Sequence, residues 1–224
     1  MKSLSYILRP RQIKYNGSIR DKFALIDITI EIIRYINIIV DSPQVSEKSL
    51  TEGNIFLEIV VDNKMSRVFI SDGIKIHSWH FPFQIHSENG KNQITYRGYH
   101  ISNAICAVLA ASFHKNSNDL QIDDILDQFW STADDFEVDT LDREICEMSI
   151  VHLLTFEPGY VRFDYDPDRE CGSHPLNHLD INYKDAVHFK LGLNQKYDCQ
   201  KLISLLNNTS NCPQITEATI SLVK

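Results

Sequence analysis

Three β-rich runs between Asn54 and Ile85, I-F-L-E-I-V-V, R-V-F-I and I-K-I-H-S-W-H-F, are separated only by D-N-K-M-S and S-D-G. Connections this short leave no room for a crossover, so the runs must reverse on each other as an antiparallel meander. Gln93 to Gly98 offers a fourth strand. Of the histidines here, His77 and His80 fall on opposite faces of one strand and His86 lies beyond them, so the three read as ordinary sheet residues rather than ligands of one metal.

Helical spacing appears around this meander. From Asp21 to Val40 the residues Phe23, Ile26, Ile30, Ile33 and Val40 make a stripe opposite Asp27, Glu31 and Arg34, and the D-S-P at Asp41 to Pro43 ends it. Its isoleucines are β-branched, so burial has to stabilise this helix. Ile101, Ile105, Val108, Leu109 and Ser112 mark a second helix, whose alanines 104, 107, 110 and 111 allow close packing. A third runs from Leu120 to Trp130, opened by Asn118 or Asp119, and a last one is capped by Asp198, with Leu202, Ile203, Leu205 and Leu206 inward. Glu147 to Glu157, followed by Pro158-Gly159 and the run from Tyr160 to Asp166, reads as a hairpin. Ala186 to Leu193 adds another strand. The sum is a single α+β domain over residues 1–224, with a mostly antiparallel sheet of six or more strands. Helices at 22–40, 101–114 and 198–207 cover one side of it.

Composition sets the bounds on partners. The chain is 43% hydrophobic and 23% charged, which is globular, and its net charge of -8 disfavours a surface devoted to nucleic acid. Residues 1–20 form a basic leading segment containing Lys2, Arg9, Arg11, Lys14 and Arg20, suited to phosphate, a partner or plain solvent. Residues 119–147 hold eleven acids against the single base Arg143, which reads as a solvated helical face or a surface for a basic partner. The 209–224 tail is polar and loosely held. Cys106, Cys146, Cys171, Cys199 and Cys212 are odd in number and scattered, which suits reduced thiols. With no long apolar run, the expected location is cytoplasmic, with no membrane partner.

Chemistry concentrates between Tyr160 and Tyr183. On the first strand Arg162, Asp164 and Asp166 oppose Val161, Phe163 and Tyr165; on the second His178, Asp180 and Asn182 oppose Leu179, Ile181 and Tyr183. If the strands pair, Arg162, Asp164, His178 and Asp180 meet on one face with His174 on the connecting loop. Guanidinium, carboxylate and imidazole together suit metal-independent phosphodiester cleavage, with His178 as base, His174 as acid and Arg162 on phosphate. The competing readings are a structural ion pair and a zinc site from Cys171, His174 and His178, with Asp180 or water as fourth ligand. Pro175 disfavours the helical turn that such a zinc pair usually uses. A Cys171 nucleophile is disfavoured by Asp166, Asp168 and Glu170, which oppose a thiolate.

The run R-F-D-Y-D-P followed by H-P-L-N-H-L-D-I-N resembles a bacterial domain-of-unknown-function family with a C-terminal R-x-D strand and an H-P-x-x-H-L strand. It is loosely similar to small RNase-type toxins. The resemblance covers about the last third of the chain. It implies a gene of mobile or antiviral-defence character and singles out Arg162, Asp164, His174 and His178. The expectation is a defence or toxin-type protein that cleaves RNA without a cofactor; the alternative is a non-catalytic subunit bound to a co-encoded protein.

Overall fold

A computed structural model describes residues 2–39, 45–62, 64–88, 91–113, 122–184 and 187–211. The expected helix stop at Asp41 to Pro43 and the caps at Asn118 and Asp119 lie outside these residues, as does most of the 209–224 tail.

The fold is α+β, and its main sheet is antiparallel throughout. In chain order the elements are β1 (Lys2–Leu8), α1 (Lys22–Ile38), β2 (Ile55–Val61), β3 (Ser66–Ser71) and β4 (Lys75–His80). Next come β5 (Gln84–Glu88), β6 (Lys91–Tyr96), β7 (Tyr99–His100), α2 (Asn103–Phe113), α3 (Ile122–Asp135) and α4 (Thr140–Thr155). The chain then forms β8 (Val161–Tyr165), β9 (Asn177–Ile181), β10 (Phe189–Gly192) and α5 (Cys199–Leu206). The seven-stranded sheet runs β1-β2-β3-β4-β8-β9-β10, while β5, β6 and β7 make a separate small sheet.

The turns of the meander follow from their aspartates. Asp62 Oδ1 accepts from the backbone N–H groups of Lys64 and Met65, each at 2.8 Å, and closes the β2–β3 reversal. Asp72 does the same for Ile74 and Lys75, with Gly73 at a φ of 86° that a side chain would strain.

Alternation along the strands sends two apolar sets to opposite faces. Leu4, Tyr6, Leu57, Ile59, Val68, Ile70 and Trp79 pack with α1; α2 packs against α1, and α3 and α4 pack in turn against α2. Trp79 Nε1 donates to Thr29 Oγ1 at 3.0 Å, so the indole is satisfied inside the core. Phe56, Val60, Phe69, Ile76, Phe163 and Leu179 instead pack with Leu202 and Ile203 of α5. The last helix therefore lies on the other face from α1, whereas the sequence reading placed both on one side. Its Asp198 cap forms as expected, accepting from Lys201 N at 2.9 Å.

Two further expectations change. The head of the basic leading segment is an edge strand, because Leu4, Tyr6 and Leu8 alternate into the core against β2. The run from Glu147 to Thr155 is the second half of helix α4 rather than a strand, and Phe156 caps its end. The helix begins at Asp139, whose carboxylate caps Asp142 N at 2.9 Å, and buries Ile145, Ser149, Ile150 and Leu153 at helical spacing. Pro158-Gly159 thus joins a helix to β8, and no hairpin forms there.

Candidate functional site

Beyond the reach of the α1 layer, the same sheet face turns polar. The strand register builds two cross-strand rows over β4, β8, β9 and β10: His77, Arg162, Asp180 and Lys190 in one, and Lys75, Asp164, His178 and Gly192 in the next. Arg162, Asp164, His178 and Asp180 share one face, as their alternation requires.

Carboxylates form the floor. Asp164 and Asp180 are buried, and Arg162 lies between them. Its Nε and Nη2 donate to the two oxygens of Asp164 at 2.8 and 2.7 Å, and Nη2 also donates to Asp180 Oδ2. Asp180 Oδ1 accepts from Lys190 Nζ at 2.6 Å and from His188 Nε2 at 3.0 Å. Burial alone would raise the Asp164 carboxyl, but the charge and paired hydrogen bonds of Arg162 outweigh it and hold this group well below the usual carboxylate range. The same contest lowers Asp180, through Lys190, Arg162 and His188. Both stay ionised because each is matched by donors.

His178 is fully buried. Its Nδ1 donates to the Pro175 carbonyl at 2.7 Å, which leaves Nε2 as the lone-pair nitrogen, 3.1 Å from Lys190 Nζ. The loop between β8 and β9 makes this possible by folding back over the sheet. Pro175 sits so close to Gly192 that an added Cβ would lie 3.1 Å from its ring, so a glycine opposite His178 admits the loop. The fold-back also brings His174 edge-on to His178, ring centroids 4.5 Å apart, with His174 Nε2 3.1 Å from Asp166 Oδ2.

The rim is therefore cationic and imidazole-rich. Arg162, Lys190, His174 and His188 are each partly exposed, at 26%, 24%, 19% and 29% of the side chain, above carboxylates that are sealed. Behind them, His77 Nδ1 and the Tyr160 hydroxyl are 2.7 Å apart, and Tyr15 packs edge-on against His77.

His188 and Lys190 lie outside the 160–183 stretch, His188 just before β10 and Lys190 on it. Their signal was present in V-H-F-K-L, where two polar residues alternate with apolar ones on a strand. The zinc set of Cys171, His174 and His178 is not brought together: Cys171 is exposed with its Sγ 3.5 Å from Ser173, and His174 is engaged by Asp166. Among the described residues, the group with ligand atoms close enough for one metal ion is Asp164, His178 and Asp180. A cleft of roughly 610 Å³ lies elsewhere, lined by Tyr96, Arg97, Glu144, Glu147 and His152. It holds less chemistry than the sheet face, since His152 Nε2 is taken up by the Pro82 carbonyl at 2.8 Å. Among the described residues, no helix is long and apolar enough to cross a membrane.

Comparison with protein-family models, curated proteins and solved structures finds no match.

Proposed function

We propose that this chain is a toxin-type, metal-independent phosphodiesterase that cleaves RNA, with His174 and His188 transferring protons and Arg162 and Lys190 holding the phosphate. The observation that carries the reading is the pairing of roles at the rim. Two cations are anchored by buried carboxylates, and two imidazoles each have Nε2 within hydrogen-bonding distance of an aspartate, Asp166 at 3.1 Å and Asp180 at 3.0 Å. A carboxylate on Nε2 fixes the tautomer and leaves Nδ1 to face solvent and substrate.

In the reaction, one neutral imidazole takes the proton from a ribose 2′-hydroxyl as the O2′–P bond forms. The other, protonated, gives its proton to the 5′-oxygen as the P–O5′ bond breaks. Arg162 and Lys190 offset the charge that builds on the phosphoryl oxygens. His178 is kept from substrate by burial, so it serves as a positioning residue that braces Lys190 and the His174 loop.

The test is cleavage of single-stranded RNA in EDTA. His174→Ala and His188→Ala are each expected to lower the rate about a hundredfold while circular dichroism stays unchanged. Wild-type rates in both variants would remove the proton-transfer roles, and a wild-type rate abolished by EDTA would remove the metal-independent step.

A second reading, a subunit of a defence or toxin–antitoxin complex, is supported by the outer strand of the sheet. Val187, Phe189 and Leu191 are exposed along this edge, where a partner strand could add. RNA inactivity combined with stable co-purification of a co-encoded protein would favour it.

A further inference from the structure

We propose that Asp164, His178 and Asp180 form a binding site for one divalent transition-metal ion of the zinc class, and that Lys190 is its built-in competitor. The inference uses residues of the cleavage site but does not rest on cleavage.

Ligand spacing carries the argument. Four ligands about 2.0–2.1 Å from a tetrahedral ion lie about 3.3 Å from one another. His178 Nε2 is 3.6 Å from Asp164 Oδ2 and 3.8 Å from Asp180 Oδ1, and all three ligand atoms fall within 4.8 Å. Small side-chain rotations would close this set on an ion.

The imidazole is prepared for the role. With Nδ1–H donated to the Pro175 carbonyl, Nε2 presents its lone pair inward, which is the second-shell arrangement of a metal-bound histidine. Among the described residues that lone pair is used by the Lys190 ammonium, at 3.1 Å, which simultaneously donates to Asp180 Oδ1 at 2.6 Å. A positive charge therefore already occupies the place a cation would take. Lys190 can leave it, because its stem is flexible and its side chain is partly exposed.

A nitrogen ligand in a buried, compact set selects against magnesium, which demands six oxygens and keeps its water. Zinc and cobalt suit it. Entry of the ion expels Lys190 from the rim, so zinc would inhibit RNA cleavage rather than support it.

The experiment titrates Co²⁺ into the purified full chain and reads visible absorption, which is intense for tetrahedral cobalt, with Zn²⁺ added to reverse it. One equivalent is expected to bind. Lys190→Leu, which removes the competing ammonium, should tighten binding by about tenfold or more. Adding His178→Ala to Lys190→Leu should abolish the signal. The gain in Lys190→Leu is the decisive readout, because a misfolded chain loses affinity rather than gaining it. Unchanged or absent binding in Lys190→Leu overturns the proposal, as does binding that survives His178→Ala. Failure here leaves cleavage in EDTA untouched, and failure of cleavage leaves this titration untouched, so the two readings fall separately.

Discussion

Asp180→Ala is expected to lower folding stability by about 3–5 kcal/mol, the usual cost of removing one partner from a buried ionic set. The Asp180 side chain is 1% exposed and receives Arg162, Lys190 and His188 together. Its loss leaves Lys190 and His188 without their carboxylate and Arg162 with Asp164 alone. For a chain of 224 residues the change corresponds to a fall in Tm of roughly 10 °C. Asp180→Asn, which keeps the shape and one acceptor but not the charge, should fall between wild type and alanine. Urea unfolding measures all three. Because the ammonium of Lys190 is left uncompensated only when Asp180 is gone, Asp180→Ala and Lys190→Leu should be non-additive by about 1 kcal/mol or more. A cost under about 1 kcal/mol would place the cluster with exposed pairs that solvent screens, and the sealed floor of the site would lose its support.

This dependence explains which parts of the site can be read from the sequence. Arg162, Asp164, His178 and Asp180 are legible because strand alternation is local: once β8 and β9 pair, the shared face follows. The short turns of the β2–β4 meander are legible for the same reason. What is not legible is which strand lies beside β8. The partner is β4, separated from it by the whole β5–β7 and α2–α4 insertion, so nothing local places His77 against Arg162. Helix α4 misleads because its second half, M-S-I-V-H-L-L-T-F, is rich in strand-formers and ends at Pro158-Gly159. The cap that declares it a helix, Asp139, stands well upstream in the acidic run. The side of the sheet taken by α5 is likewise fixed by a tertiary match, Leu202 and Ile203 onto Phe56, Phe69 and Phe163, that no periodicity encodes.

The long-range pairing of β4 with β8 carries the second large expectation, an acid destabilisation that begins near pH 6.5. His77 is buried among Tyr15, Tyr160 and Arg162; burial first, then the Arg162 charge, lowers its pKa from 6.5 to about 3. The folded chain therefore keeps this imidazole neutral while the unfolded chain protonates it. Stability from this group is fully present above 6.5 and is lost as pH falls from 6.5 toward 3, at about 1.4 kcal/mol per pH unit. Between pH 8 and pH 5 the loss from His77 alone is about 2 kcal/mol. Asp164 and Asp180 do not contribute in that window, because their lowered pKa values lose stability only below the ordinary aspartate range, near 3.9. His80, also lowered by burial, adds a loss of the same sign. The comparison that isolates His77 is urea unfolding of wild type and His77→Gln across pH 5 to 8. The variant is less stable at pH 8 through lost packing and the lost Tyr160 hydrogen bond, but its stability should fall by about 2 kcal/mol less on going to pH 5. Parallel pH profiles for the two proteins would mean that His77 is charged in the fold, and the neutral network behind Arg162 would have to be abandoned.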